Sequence, residues 1–345
     1  MKILHFVHNY YGFSGASKQA SNIASNINES SVEIEQRFFT FSIGKKIDQD
    51  SQFFIHSSSP SLLARCFAFT NILCRYKPDV VHFHGADFAL LFVCKLFRVK
   101  VYWKSTLFGS DDFVTLSKGT MGFVKKKLIR FIDLNNTLTK QMYFNNAQIL
   151  KPSKLVTIPN GVAIKEHIAN KDKIAIIVSA IIPRKSVYEG IDFFNKQLHK
   201  HGYKLYIIGP NSDTLDGFDP NYYKSCLSIA NENVVFLGEL SQPDVFTYFK
   251  NAHFLIHLSK QEGMPNVVLE AMSFSVFPII TSMDGLADEL IEHGVTGVNV
   301  DASLEFDIDL FIGSNSIGRE FVKNKNSFKV VAEQTIDVYQ KLLNI

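Results

Sequence analysis

The 345-residue sequence lacks the features that mark several common protein classes. Its four cysteines form no C-x-x-C pair and stand at no metal-like spacing from a histidine, which predicts reduced thiols. No apolar run approaches the roughly 20 residues of a membrane span, and residues 1–8 are typical of a strand, not of a signal peptide. The net charge of +3 is too small to indicate a nucleic-acid partner. We therefore expect a cytoplasmic protein that does not bind nucleic acid.

Short apolar segments alternate with helix-length segments, which predicts parallel α/β sheets. The predicted strands are 174–180, 204–208, 234–237, 254–258 and 277–281 in the second half, and 3–8, 34–41, 80–84 and 99–104 in the first. The length exceeds that of one ordinary core, and turn residues at Asn160-Gly161 mark a boundary. Val331 to Leu342 show helical spacing. We predict domains at 1–165 and 166–325 and a C-terminal helix at 326–345.

Two glutamates eight residues apart flank a predicted junction between a loop and a helix. Glu262 falls in the loop and Glu270 on the helix, whose neighbouring residues are apolar. Eight helical residues span about 12 Å, more than the roughly 5 to 9.5 Å between the paired carboxyls of a glycoside hydrolase. Backbone N–H groups between two such carboxylates suit an extended ligand with hydroxyls at both ends and phosphates in the middle, as in a nucleotide-sugar. The alternative is two solvated charges.

The segment from Glu262 to Glu270 resembles the E-x7-E signature of the retaining glycosyltransferases of family four, also called group one. The similarity continues through residues 273–280 and 294–297. It implies the GT-B fold, an α/β fold with two Rossmann-like domains that face a central cleft and a C-terminal helix that crosses back to the first domain. It also implies transfer from a UDP-, GDP- or similar nucleotide-sugar to a glycan or lipid-linked acceptor in surface polysaccharide or glycoconjugate biosynthesis, with no cofactor besides the donor.

The same resemblance implies roles for the residues of this segment. Glu270 would hold the ribose hydroxyls of the donor, and Glu262 the sugar that is transferred. The intervening donor-binding residues, whose N–H groups would face the leaving group or the sugar, are Gly263, Met264, Pro265, Asn266 and Val267.

Two cations, Arg184 and Lys185, follow the first strand of the second domain, at the carboxyl end of a parallel sheet where α/β ligands bind. By resemblance to a V-G-R-L-x-x-x-K-G stretch, Lys185 matches a lysine that contacts the donor phosphates. The chain departs from that stretch, since Ala180 replaces its arginine and Ser186 its final glycine. We expect Arg184 to supply the second charge, and the two cations to stabilise a departing diphosphate without metal. Two solvated charges are the alternative.

The first domain offers weaker signals. Gly12 and Gly15 form a G-x-x-G loop before a helix, so the G-x-G-x-x-G fingerprint of a nicotinamide oxidoreductase is absent. By resemblance, Gly15 would face the donor diphosphate; a plain tight turn is the alternative. His84 ends a strand on the same side as His82 and is either a structural residue or a substrate contact. Phe108 stands where the family has a histidine in the sugar pocket, which implies an altered pocket, a polar role taken over by His84, or reduced activity.

Residues 122–132 combine apolar positions Val124, Leu128 and Phe131 at helical spacing with cations at 125–127 and 130. Such a helix either packs on a core with a solvated cationic side or, as in glycosyltransferases with lipid-linked acceptors, makes peripheral contact with an anionic membrane, here the inner face of the cytoplasmic membrane. Two alternatives to glycosyl transfer also stay open. One is a GT-B sugar-nucleotide epimerase or hydrolase, and the other is a catalytically inactive GT-B nucleotide-binding protein, suggested by Phe108 and Ala180.

Overall fold

The computed structural model describes residues 1–10, 15–30, 33–43, 53–119, 121–166, 171–301 and 315–345. The chain divides into two compact units. The first consists of Met1–Gly161 together with Phe328–Ile345, and the second of Val162–Ser327. Each unit contains one parallel sheet between layers of helices, so the predicted α/β class is confirmed.

The first unit is built on a seven-stranded sheet of order β3-β2-β1-β4-β5-β6-β7. Its strands are β1 (Lys2–Asn9), β2 (Glu35–Ser42), β3 (Phe54–Ser57), β4 (Val80–Phe83), β5 (Lys100–Ser105), β6 (Leu134–Thr137) and β7 (Leu155–Thr157). Its helices are α1 (Gly15–Asn28), α2 (Leu62–Tyr76), α3 (Phe88–Phe97), α4 (Phe113–Leu116), α5 (Gly122–Ile129), α6 (Lys140–Asn146) and α13 (Phe328–Leu343), with a 3-10 turn at Pro152–Lys154.

Alternation along β1 assigns its side chains to two cores. Leu4 and Phe6 face the layer formed by α2, α3 and α4, whereas Ile3 faces α1 and α13. The helical spacing from Val331 to Leu342 is confirmed, because these residues are buried on α13 against that second face. Strand β6, by contrast, is polar in sequence and buried in the structure. Asn135 donates to the carbonyl of Trp103 at 2.9 Å, which satisfies a buried amide in the sheet.

The second unit is built on a six-stranded sheet of order β10-β9-β8-β11-β12-β13. Its strands are β8 (Ile174–Val178), β9 (Lys204–Ile208), β10 (Val234–Gly238), β11 (Phe254–His257), β12 (Phe277–Ile280) and β13 (Val298–Asn299). Its helices are α7 (Val187–Phe193), α8 (Pro220–Ser228), α9 (Gln242–Asn251), α10 (Asn266–Ser273), α11 (Ala287–Leu290) and α12 (Asn315–Asn326). Short 3-10 turns lie at Pro183–Lys185, His199–His201 and Met283–Gly285, and a π turn at Phe194–Leu198.

The interpretation of α5 needs a correction. We expected Val124, Leu128 and Phe131 to form its apolar face, but Val124 is 44% and Phe131 38% exposed, and Phe131 lies beyond the end of the helix. Ile129 is the side chain that α5 buries in the core. The helix has only eight residues, about two turns, and it packs beside α3 and α4, with Leu128 also against that core. Within the part of the chain that the structure describes, no helix is both long and apolar enough to cross a bilayer.

Candidate active site

The loop between β11 and α10 holds the two carboxylates of the E-x7-E segment in different environments. All four residues of β11 are buried, so the strand fixes where the loop starts, and Glu262 lies in the loop. Helix α10 begins at Asn266 with Pro265 as its N-cap, a residue that cannot accept a helix N–H through its side chain. Glu270 lies on the half-buried side of α10, where Gln242 Nε2 donates to its Oε1 at 3.3 Å.

Three cationic or ionisable side chains surround the Glu262 carboxylate, which is only 10% exposed. Lys185 Nζ donates to Glu262 Oε1, and Arg184 Nη1 lies 3.8 Å from Glu262 Oε2. His257 Nε2 lies 3.3 Å from Glu262 Oε1, although off the line of an aligned hydrogen bond. The structure thus brings Glu262, Lys185 and Arg184 together, and adds His257.

The electrostatics of this cluster follow from burial and charge. Burial alone would raise the pKa of Glu262, but the contacts with His257 and with the Lys185 ammonium outweigh it and lower the pKa to about 2. Glu262 is therefore an anion at neutral pH. It offers oxygen acceptors inside a site that also contains two cations, an arrangement that can hold sugar hydroxyls next to phosphate groups.

The backbone explains why the two cations lie at this place. They belong to the 3-10 turn Pro183–Lys185, which follows β8, and Arg184 Nη1 donates to the backbone carbonyl of Gln261 at 2.8 Å. Lys260 N–H in turn donates to the Arg184 carbonyl at 3.0 Å, so the turn is fixed to the loop after β11. Ser186, at the position where the related stretch has glycine, has φ of +51°, a left-handed conformation that glycine adopts without strain.

A cavity of about 530 Å³ opens at the carboxyl ends of β11 and β12. Among its lining residues are Ser186, Ser259 and Lys260 from the cluster side and Thr281 and Asp301 from the opposite side. Ser259 Oγ donates to the Arg184 carbonyl at 3.3 Å, which connects this cavity to the turn that carries the cations. A cavity at this edge of a parallel sheet, lined in part by polar side chains, is where α/β proteins bind ligands.

The site residues predicted in the first unit lie in different settings. Gly15 is exposed and begins α1, while Gly12 of the same loop lies outside the described residues. Phe108 is half-buried in the turn after β5. His84 is buried, and its Nε2 lies 3.1 Å from Nδ1 of His5. The position of His84 favours its structural role over direct substrate contact, because its ring is enclosed in the core.

Two ionisable residues near the predicted positions were not foreseen from the sequence. His257 ends a strand that is otherwise apolar, and a polar residue at the carboxyl end of a buried strand is a signal that could have identified it. Lys104 has the same signal at the end of β5. It is buried, which lowers its pKa to about 7, and its Nζ donates to Asn160 Oδ1 at 2.9 Å.

Residues 163–312 match the family model described as glycosyl transferases group 1. The sequence is 24% identical over 254 residues to the phosphatidylinositol N-acetylglucosaminyltransferase gpi3 subunit of Schizosaccharomyces pombe, a match that covers 68% of this chain and 53% of that protein. It is 27% identical over 186 residues to the uncharacterized glycosyltransferase MJ1607 of Methanocaldococcus jannaschii, covering 50% of this chain and 46% of that one. The chain thus spans about half the length of the curated relatives that it matches.

Among solved structures, Anabaena Alr3699/HepE in complex with UDP superimposes with a TM-score of 0.78 at 15% identity, covering 99% of this chain and 100% of that one. Because the similarity extends over both units, it confirms the GT-B fold that the E-x7-E segment implied.

Proposed function

We propose that this protein, whose residues 163–312 belong to the glycosyl transferases of group 1 and whose chain has the GT-B fold, transfers a sugar from a nucleotide-diphosphate donor. The observation that carries the proposal is the cluster of Glu262 with Lys185, Arg184 and His257 beside α10. It combines a buried anion with two cations within one unit. The UDP complex of HepE, a protein of the same fold, supports a nucleotide-sugar as the donor.

The proposed roles follow from the chemistry of each group. Glu270 binds the ribose hydroxyls, and Glu262 binds hydroxyls of the transferred sugar through oxygens that stay ionised at neutral pH. Arg184 and Lys185 bind the diphosphate and stabilise its charge as the glycosidic bond breaks. The backbone from Gly263 to Val267 binds the leaving group or the sugar.

Lys185 Nζ donates to a carboxylate oxygen of Glu262. We therefore expect a donor to exchange this partner, so that the ammonium turns to phosphate while Glu262 accepts a sugar hydroxyl. The exchange keeps both charges compensated, which a buried ion pair requires. The exchange also favours the whole nucleotide-sugar over the nucleotide or the sugar alone. A diphosphate without the sugar would take Lys185 away from Glu262 and offer Glu262 no hydroxyl in return.

The finer mechanism that we propose is retaining and independent of metal. Two cations next to the diphosphate supply the charge that a metal would otherwise provide, and a donor phosphate oxygen can accept the proton of the acceptor. The protein then needs no carboxylate base and contributes positioning and electrostatics. Gly15 is the residue of the first unit that we assign to donor contact, because the ring of His84 is enclosed in the core, and the acceptor is a glycan or a lipid-linked sugar.

The test is a thermal-shift screen of the wild-type protein and Glu270→Ala against UDP, GDP, ADP, CMP and their sugar conjugates, because ligand binding raises stability by mass action. We expect one nucleotide class to raise the Tm of wild type and to lose that effect in the variant. Glu232→Ala is the matched control, since Glu232 is an exposed glutamate of the same unit, 81% exposed and 3.8 Å from His199. No Tm increase with any nucleotide would overturn the donor-site assignment.

Product analysis with the donor thus identified separates the remaining functions. Release of nucleoside diphosphate with a new glycoside of unchanged anomeric configuration is the expected result. A rearranged or hydrolysed sugar without acceptor would indicate an epimerase or hydrolase. Binding without turnover would indicate an inactive nucleotide-binding protein, the alternative that Phe108 and Ala180 favour.

We further propose that the first unit contacts an anionic membrane through adjoining helices α2, α3 and α5. Exposed apolar side chains lie on all three, namely Leu63, Phe67, Leu96 and Phe123, which are 85%, 77%, 63% and 70% exposed. Cations accompany them. Lys95 Nζ lies 3.4 Å from the centre of the Phe131 ring, and Lys127 Nζ lies 4.3 Å from that of Phe123. Large exposed apolar groups beside cations are typical of interfacial surfaces, and a lipid-linked acceptor would be reached there.

A further inference from the structure

A buried polar row crosses the face of the first sheet that α1 and α13 cover. It contains Gln36 on β2, His5 on β1, His82 and His84 on and after β4, and Lys104 on β5. Ile3 on β1 and Val80 on β4 are apolar and lie on the same face. Because side chains alternate along a strand, apolar residues would also be expected at the positions of His5 and His82. Polar residues in such a row need partners, because an unsatisfied buried polar group is costly.

The hydrogen bonds in this row fix the tautomer of His5. Gln36 Oε1 can only accept, so His5 donates to it through Nε2, at 3.0 Å. Nδ1 of His5 then has a lone pair, which points towards Nε2 of His84 at 3.1 Å. His82 Nδ1 is held by the hydroxyl of Tyr339 on α13, at 2.7 Å.

Two ring nitrogens of this cluster have no hydrogen-bond partner although they are fully enclosed. They are Nε2 of His82 and Nδ1 of His84. Both rings are at most 3% exposed, so bulk water does not satisfy these atoms. Buried polar atoms are nearly always hydrogen-bonded, so unpaired nitrogens in neighbouring rings indicate that the cluster takes a further partner.

We propose that His5, His82 and His84 bind one divalent transition-metal ion of the Zn²⁺ type. Each histidine offers one ring nitrogen, and the three lie within 4.8 Å of one another. A tetrahedral ion with Zn–N bonds of about 2.0 to 2.1 Å would hold its ligand nitrogens roughly 3.3 Å apart, close to the observed separation of His5 and His84. The ligand atoms would be Nδ1 of His5, Nε2 of His82 and Nε2 of His84, the nitrogen that lies 3.1 Å from His5 Nδ1.

The partners around the cluster fit this assignment. Metal-binding histidines usually hydrogen-bond through their second ring nitrogen, which orients the ring, and Gln36 and Tyr339 make such bonds to His5 and His82. Imidazole ligands without thiolates suit zinc, copper, nickel and iron ions rather than magnesium or calcium. Lys104 would oppose a cation when charged, but Asn160 holds its Nζ.

The ion would be structural, because it belongs to the first unit and has no part in the transfer proposed for the second. It would join β1 to β4 and, through His82 and Tyr339, fix α13 to the sheet. Since the site is enclosed, the metal would enter as the chain folds and would leave only when it unfolds. This inference is independent of the proposed donor site, and either can fail alone.

The experiment starts from full-length protein unfolded in denaturant with chelator, and then refolded at about pH 8 with Co²⁺ or Zn²⁺ and passed through a desalting column. We expect about one ion per chain by elemental analysis, visible ligand-field absorption of the Co²⁺ form, and a higher Tm by Trp103 fluorescence than after metal-free refolding. His82→Asn should lose the ion. His253→Asn is the matched control, since His253 also contacts a tyrosine hydroxyl, at 2.8 Å, but lies in the second unit.

The proposal would be overturned if the refolded wild type retains no ion, or if His82→Asn retains as much as wild type. Because His82→Asn could fail to fold, X-ray absorption of the Co²⁺-loaded wild type gives a second reading. Scattering from about three imidazoles is expected, and an oxygen-only environment would show that the ion binds elsewhere.

Discussion

Replacement of Glu262 by glutamine tests the charge network of the candidate site through its pH dependence. The contacts lower the pKa of this carboxyl from 4.5 to about 2. One pH unit corresponds to roughly 1.4 kcal/mol, so ionised Glu262 contributes about 3 kcal/mol to the free energy of unfolding at neutral pH. Because the pKa is lower in the folded protein, this contribution is present above about pH 4.5 and is lost as the pH falls towards 2.

We therefore expect Glu262→Gln to be less stable than wild type by about 3 kcal/mol near pH 7, and the difference to decrease steadily below about pH 4.5. Far-UV circular dichroism in urea follows the unfolding of both units. Trp103, the only tryptophan and buried in the first unit, reports on that unit separately by fluorescence. The fluorescence transition should not change in the variant.

Glu189→Gln is the control for the loss of a carboxylate from the same unit. Glu189 pairs with Lys260 at 3.7 Å, and the two side chains are 46% and 65% exposed. An exposed pair contributes at most about 1 kcal/mol, so this variant should differ little from wild type at any pH. If the deficit of Glu262→Gln were the same at neutral and acid pH, packing and not charge would explain it, and the reasoning would be refuted.

Three further predictions concern the first unit. In Gly161→Ala, the added Cβ would lie 2.3 Å from Cδ1 of Phe328, so we expect the free energy of unfolding, followed by Trp103 fluorescence, to fall by about 1 to 3 kcal/mol. Adding Phe328→Ala should relieve this loss, and an unrelieved loss would exclude the clash as its cause. Gln19 accepts from Gly161 N–H at 2.8 Å and donates to the Gly161 carbonyl at 2.7 Å, so Gln19→Ala should lower the free energy of unfolding by at least about 2 kcal/mol in the same assay. An unchanged unfolding midpoint would contradict this prediction. Replacing Lys125, Lys126 and Lys127 with glutamine should weaken binding to phosphatidylglycerol vesicles about 100-fold, at about 1 kcal/mol per charge. The same replacement at Lys323, Lys325 and Lys329 is the control and should leave binding unchanged, and equal effects of the two triple variants would refute the membrane contact.

The sequence predicted the fold where burial depends on apolar side chains. Strands β1, β4, β8 and β11 are short apolar runs, and each was placed within a few residues. Strand β6 was missed, because its sequence is polar and the amide of Asn135 is satisfied by partners on β5 and α6 that no local pattern shows. Very short strands such as β13 present too few residues for a period to be recognised.

The candidate site was predictable only in part, for a related reason. The spacing of Glu262 and Glu270 and the turn chemistry at Pro265 lie in one continuous segment, so a loop and a helix could be read from it. The pairing of Glu262 with Lys185 depends on β8 and β11 being neighbours in the sheet, which no local pattern shows. The apolar face expected for α5 holds only for Leu128, which packs against the core, whereas Val124 and Phe131 are exposed, because an eight-residue helix gives too short a period to select one face.

The order of the units along the chain has a consequence for synthesis on the ribosome. Residues 162–327 form the second unit without interruption, whereas the first unit needs α13, which is translated after them. Without α13, the side chains of Ile3, Val80 and Tyr102 lack the apolar contacts that this helix provides. Folding of the first unit therefore depends on residues that follow the whole of the second unit in the chain. A chain without residues 328–345 would therefore keep a complete second unit but expose the apolar surface of the first sheet that α13 covers, and it would be a target for chaperones.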